Sequence, residues 1–364
     1  MLRTGPQWLM PKLRQMTAAV RPAAPDRLST VLPGRPRPIR STEPGRWIHR
    51  RFRGDEGARE YDVYLPSGLS SGDRVPMLLL LHGCQQRSVD FAEESGFVAA
   101  ADRDGFLVVA PRQDRQHQLQ RCWRWYETEH QDRGRGEPAI LAALVEEVSA
   151  EDALWRVDRR RVYAAGLSAG GAMSLILATT YPDVIAAAGV HSATAYRSAS
   201  QGFNALGAMA AHGTMPAHDL IGGEMAPVVL IHGTNDPVVR APNADRIVDQ
   251  WLGSRDSQRL TGLDRVRPLA TTRALEVDGR RCIRTRWYTA RGRRVLEYWR
   301  IDGLRHAWSG GHRKGTFIDI KGPRAAEVMM SFFQRHKLPH ASIRTAERDE
   351  PLVRQPMIWF EDAD

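Results

Sequence analysis

Long apolar runs are missing from this chain of 364 residues. The run Met77 to Leu81 suits a buried strand, whereas a membrane-spanning helix needs ~20 apolar residues. Arg3 is not followed by an uninterrupted apolar stretch of the ~7–15 residues that a secretory signal carries, so no such signal is expected. Cysteine is scarce, with only Cys84, Cys122 and Cys282. None stands in a Cys-x-x-Cys or Cys/His ligand spacing, which argues against a zinc site. One disulfide with a free thiol and three free thiols both fit the count. Acidic residues are almost absent from the start of the chain, where residues 1–54 hold Lys12 and eleven arginines against Asp26 and Glu43. That surplus equals the whole net charge of +10, so the remainder is neutral and has no basic field for nucleic acid. No internal repeat is present.

What is there falls into three parts. Residues 1–46 form a basic Pro/Arg-rich leader whose composition predicts disorder. Leu9, Leu13, Met16 and Val20 lie on one helical face within it, compatible with a short amphipathic element for adsorption to a surface or granule. Residues 47–340 read as one catalytic domain, and residues 341–364 as a C-terminal tail. In the body, Tyr61–Leu65, Val75–Leu81, Phe106–Ala110, Arg161–Ala165 and Val228–Ile231 read as strands. The stretches 89–103, 139–150, 171–180 and 243–252 read as helices between them. Such alternation implies a mostly parallel sheet covered by helices on both faces, an α/β fold. A hairpin is expected from Arg286–Tyr288 and Val295–Ile301, and a last helix over Pro323–His336. Residues 190–225 break the alternation and read as a loop bordering the active-site cleft.

The chemistry centres on Gly166-Leu167-Ser168-Ala169-Gly170. This Gly-x-Ser-x-Gly follows a strand-like run and precedes a helix-like one, the context in which a serine is lifted out of a sheet to act as a nucleophile. The flanking glycines permit a turn that a Cβ would obstruct. A glycine-rich turn with a passive serine is the competing reading. A hydrolytic serine also needs a base, an orienting acid and an oxyanion hole, and these appear in the order Ser, Asp, His. Asp236 lies in the loop after Val228–Ile231, and His306 in the loop after Val295–Ile301. Among histidines following Asp236, only His306 and His312 occupy a strand-to-loop junction before the last helix. Leu81-His82-Gly83-Cys84 supplies the expected oxyanion turn, with N–H donors from Cys84 and Ala169. His82 is expected to be a structural hydrogen-bonder. Trp308, two residues from His306, is the candidate for lining the site, and Trp123 and Trp125 are expected to pack.

From about Tyr61 to Phe333 the chain resembles the polyhydroxybutyrate (PHB) depolymerase-like esterases, an α/β-hydrolase group that also holds feruloyl and acetylxylan esterases. The resemblance rests on Leu81 to Cys84, Cys122-Trp123-Arg124-Trp125, Gly136-Glu137, Val157-Asp158 with Arg161-Val162-Tyr163, Gly166 to Met173, His232 to Asp236 and His306 to Gly311. It implies a nucleophile, acid and base at Ser168, Asp236 and His306. It also implies a disulfide between Cys84 and Cys122, hence an oxidising compartment, with Cys282 a lone thiol. Secreted members carry a signal peptide where this chain has the basic leader, so extracellular and cytoplasmic placements both stay open. No polymer-binding module or Ser/Thr-rich linker is visible.

The expectation is therefore a serine esterase working through an acyl-enzyme, with no metal or organic cofactor. Its substrate would be a short-chain hydroxyalkanoate polyester or oligomer, or alternatively a feruloyl or acetyl ester on plant polysaccharide. A serine peptidase on the same fold and a non-catalytic polyester-granule binding protein are the other readings.

Overall fold

The computed structural model describes residues 44–69, 72–150, 154–212, 225–253, 269–289, 291–311 and 315–339. The chain divides into two units, Met1–Arg37 and Pro38–Asp364, and all described residues belong to the second. Nearly all of the leader, the amphipathic element expected in it, the tail 341–364 and His312 lie outside the described residues.

Ten strands build one sheet. They are β1 (Arg46–Gly54), β2 (Gly57–Leu65), β3 (Arg74–Leu81), β4 (Leu107–Pro111), β5 (Arg156–Leu167), β6 (Ala187–His191), β7 (Val228–Gly233), β8 (Leu269–Val277), β9 (Arg280–Tyr288) and β10 (Arg294–Ile301). Their order is β1-β2-β4-β3-β5-β6-β7-β10-β9-β8. The six central strands, β4, β3, β5, β6, β7 and β10, run parallel, and antiparallel pairs extend both edges. The parallel strands are buried on both faces, which explains runs such as Met77–Leu81 that show no alternation.

Helices cover both faces. Helices α1 (Ser88–Glu94), α2 (Phe97–Asp104) and α7 (Ala325–Phe333) bury Phe91, Phe97, Met329 and Phe333 against one face. On the other, α3 (Gly136–Ser149), α4 (Ala169–Thr180) and α6 (Pro242–Gly253) bury Leu141, Leu144, Met173, Ile247 and Trp251. Each such side chain contributes roughly 1.5–3 kcal/mol relative to exposure. The single helix expected over 89–103 is two helices, interrupted at Ser95–Gly96.

Residues 190–212 differ from the expected loop, and residues 213–224 of it lie outside the described residues. Val190 and His191 close the central strand β6, and a short helix, α5 (Ala205–Met209), follows. The sequence Ala-Ala-Gly-Val-His has little β character because α7 leaves no room for more. A Cβ on Gly189 would stand 2.4 Å from Met329 Sδ.

Candidate active site

Parallel strands place their following loops along one edge of the sheet, where open α/β sheets bind ligands. Ser168 stands there, between β5 and α4, at φ +57° and ψ −118°. A serine in such a conformation costs of order 1–3 kcal/mol and persists only where its surroundings impose it. Here Ser168 N–H donates to His191 O at 2.9 Å, and Ser168 O accepts from Ala172 N–H at 2.9 Å. The first turn of α4 lies directly on the end of β3. A Cβ on Gly170 would fall 2.0 Å from Leu81 O, and one on Gly166 would fall 2.4 Å from the Gly170 carbonyl carbon. Both glycines of the motif are therefore demanded by close backbone approach.

The loop after β3 is held from several sides. His82 is buried and donates from Nδ1 to Gly83 O (2.8 Å), while its Nε2 accepts from Gln113 N–H (3.2 Å). Burial pushes its pKa down to about 4, so the ring is neutral and structural, as expected. Gly83 N–H donates to Gln86 Oε1 (2.8 Å), and Trp123 Nε1–H to His82 O (3.1 Å). The Cys84–Cys122 disulfide is formed, its Cα atoms 4.3 Å apart, and Cys282 is a buried free thiol. Behind the loop, Glu137 pairs with Arg59 at 2.9 Å and accepts from Gln113 Nε2 (2.6 Å) and Arg124 N–H (2.7 Å). Among the described residues, the N–H groups of Cys84 and Ala169 donate to no protein acceptor.

Asp236 and His306 meet although they lie far apart in the chain. Strand β10 pairs with β7, and their following loops are joined by Thr234 N–H to Ile301 O (2.9 Å) and Asn235 N–H to Leu304 O (3.1 Å). His306 Nδ1 then lies 2.8 Å from Asp236 Oδ2. Asp236 Oδ1 accepts from the N–H groups of Val238 and Val239, both at 2.9 Å. Burial opposes ionisation of this carboxylate, but the hydrogen bond and charge of His306, with those backbone donors, hold its pKa below the ordinary value. Ser168 Oγ and His306 Nε2 make no hydrogen bond to a described residue. Catalytic hydrogen bonds are often long in the absence of substrate.

Two further histidines belong to this region. The His191 backbone holds Ser168, its ring Nε2 accepts from Ser309 N–H (3.1 Å), and the ring stacks on Trp308 at 5.0 Å. His232 donates from Nε2 to Val239 O (2.8 Å) and lies 3.7 Å from Asp236 Oδ2. Burial lowers the pKa of both rings. Neither role is legible from the sequence, because each depends on which strands lie side by side. Trp308 corrects the expectation placed on it. It is fully buried, edge-on to Phe91, and donates from Nε1 to Ser95 O (3.1 Å), so it packs beneath the site and does not line it. Trp123 and Trp125 are buried, as expected.

Comparison with known proteins decides the family. The model of the family described as Esterase PHB depolymerase matches residues 59–267, more than half of the chain. The chain belongs to the PHB depolymerase esterase family. It is 31% identical over 198 residues to the poly(3-hydroxyalkanoate) depolymerase C of Paucimonas lemoignei, covering 52% of this chain and 46% of that one. It is 25% identical over 219 residues to a feruloyl esterase B of Thermothelomyces thermophilus, covering 55% of this chain and 73% of that one. The chain thus spans less than half the length of the depolymerase it matches. An acetyl xylan esterase structure from Aspergillus awamori superposes with a TM-score of 0.61 at 19% identity, over 80% of this chain and 99% of that one, which shows the α/β-hydrolase fold. The family match ends before His306, which the β7–β10 pairing brings to Asp236.

Proposed function

We propose that this family member is a serine carboxylesterase acting through an acyl-enzyme, with Ser168 as nucleophile, His306 as base and Asp236 as orienting acid. The reading rests on one conjunction: a serine on a strained turn, a His–Asp pair at 2.8 Å, and two uncommitted N–H groups on the same sheet edge. Ser168 Oγ attacks the ester carbonyl and passes its proton to His306 Nε2. Asp236 fixes the imidazole with Nδ1 protonated and stabilises the imidazolium. The N–H groups of Cys84 and Ala169 hold the oxyanion. His306 then protonates the leaving alcohol, and water repeats the sequence to release the acid.

A short-chain hydroxyalkanoate polyester or its oligomers is the substrate best supported. Large apolar side chains stand exposed on the segments that follow the parallel strands: Leu119 after β4, Phe203 and Leu206 after β6, Val238 two residues beyond Asp236, and Phe317 after β10. An apolar ester chain arriving at this edge would meet them. A feruloyl or acetyl ester on plant polysaccharide is the alternative, supported by the feruloyl esterase relative. Ser168→Ala should lower kcat on p-nitrophenyl butyrate by several orders of magnitude with folding intact, since only the attacking oxygen is lost. Activity within about tenfold of the parent would remove Ser168 from the mechanism. Parallel assays on PHB, methyl ferulate and acetylated xylan separate the substrate classes.

A further inference from the structure

The other end of the sheet gathers positive charge. Strand β9 places Arg284 and Arg286 on one face, two residues apart, on the side packed by α7. Register sets Arg273 of β8 beside Arg284. It sets Trp299 and Glu297 of β10 against Arg284 and Arg286. Arg293, Arg294 and, beyond α7, Arg335 complete the group. Among the described residues of this group Glu297 is the one carboxylate. It is buried and accepts from Arg286 Nε (3.1 Å), from Arg294 Nη1 and from Trp299 Nε1 (2.7 Å). Arg284 lies over the Trp299 ring at 5.2 Å, and Arg293 Nη2 meets His336 Nδ1 at 3.4 Å. Arg284, Arg293 and Arg335 make no ion pair with a described carboxylate. Burial first, and then the neighbouring guanidinium groups, lower the pKa of Arg284 and Arg335 and push His336 down to about 3.

We infer that this arginine-lined face is a docking surface for an acidic polysaccharide, a linear chain of carboxylates bound away from Ser168. Guanidinium forks pair bidentately with carboxylates, and clustered like charges are relieved when an anion arrives. The Arg286 and Arg294 side chains are only 23% and 10% exposed and pair with Glu297, so the groups left to meet an anion are Arg284, Arg293 and Arg335. Binding of single-stranded nucleic acid relies on aromatic faces for its bases, and Trp299 is buried under Arg284.

Titration of the full chain with polygalacturonate at low salt tests this. Binding should weaken as salt rises. Arg335→Ser, two residues beyond α7, should raise Kd at least threefold, and with Arg284→Ser at least tenfold, while hydrolysis of p-nitrophenyl butyrate stays unchanged. The single Arg335 variant keeps the test decisive if loss of the Trp299 contact harms folding. Absence of binding overturns the proposal. Equal binding by the variants assigns the affinity to the basic leader and overturns it. Equal or tighter binding of a single-stranded oligonucleotide or of anionic vesicles overturns the choice of partner. Binding that appears only after Glu347, Asp349 and Glu350 are neutralised gives the face to the chain's own C-terminal residues and likewise overturns it.

Discussion

Reduction of the Cys84–Cys122 bridge should act on stability and on the proposed oxyanion loop, to different extents. The bridge spans 38 residues. Chain-entropy arguments give a closed loop of that size about 4 kcal/mol of stabilisation. A domain of roughly 290 residues unfolds with an entropy near ~0.6 kcal/mol/K, so full reduction should lower Tm by about 6–7 °C. The effect on kcat should be smaller than losing an oxyanion donor outright, which costs ~10²–10³. Three hydrogen bonds survive reduction and still hold the loop: Gly83 N–H to Gln86 Oε1, Trp123 Nε1–H to His82 O, and Gln85 N–H to Gln120 O. We therefore expect kcat to fall about fivefold at a temperature where both forms are folded. Differential scanning calorimetry and p-nitrophenyl butyrate assays with and without reductant, alongside Cys84→Ala/Cys122→Ala, provide the measurement. Burial raises the Cys282 thiol to about 11, so alkylation after reduction should label the bridge cysteines first. A Tm unchanged within about 2 °C, with three thiols counted in the denatured reduced protein, would refute the entropic argument.

Gly170→Ala should abolish esterase activity and lower Tm measurably, because its Cβ would fall 2.0 Å from Leu81 O; near-parent kcat would contradict the close packing of α4 on β3. Asp236→Asn should reduce kcat by ~10³–10⁴ with little change in fold, by upsetting the imidazole tautomer, and a loss under tenfold would argue against the role given to Asp236. Stability should fall on acidification. His82 and His336 are held neutral with pKa values of about 4 and about 3, against 6.5 unfolded, so the unfolded state binds more protons below pH 6.5. Each should remove about 2 kcal/mol between pH 8 and pH 5. Urea unfolding of the parent and of His336→Gln checks this, since the variant should lose about 2 kcal/mol of that pH dependence; identical slopes would discard it.

The parts of this protein that could be read from sequence are those encoded locally. Strands β3, β5 and β7 announce themselves as apolar runs, and the Gly166–Gly170 motif marks a turn whose glycines the structure requires. The Ser, Asp, His order points to Asp236 and His306 before any contact is known. What escaped is set by neighbours distant in sequence. Strand β6 carries small residues because Met329 occupies the space above Gly189. Trp308 lies two residues from His306, but its partners Phe91, Ser95 and His191 come from three other elements, and they bury it. The work of Glu137 behind the oxyanion loop depends on Arg59, Gln113 and Arg124 converging on it.

The pairing of β10 with β7 sets an order of events during synthesis and folding. Under the proposed mechanism, a chain elongated through Asp236 already holds the serine, the oxyanion turn and the acid, but has no base. His306 arrives only after residues 269–288 have emerged, and it reaches Asp236 only when β10 inserts between β7 and β9. Non-local parallel pairing is a slow step in folding. Hydrolysis by the proposed mechanism should therefore begin after most secondary structure is in place, which would make turnover a stopwatch for closure of the sheet.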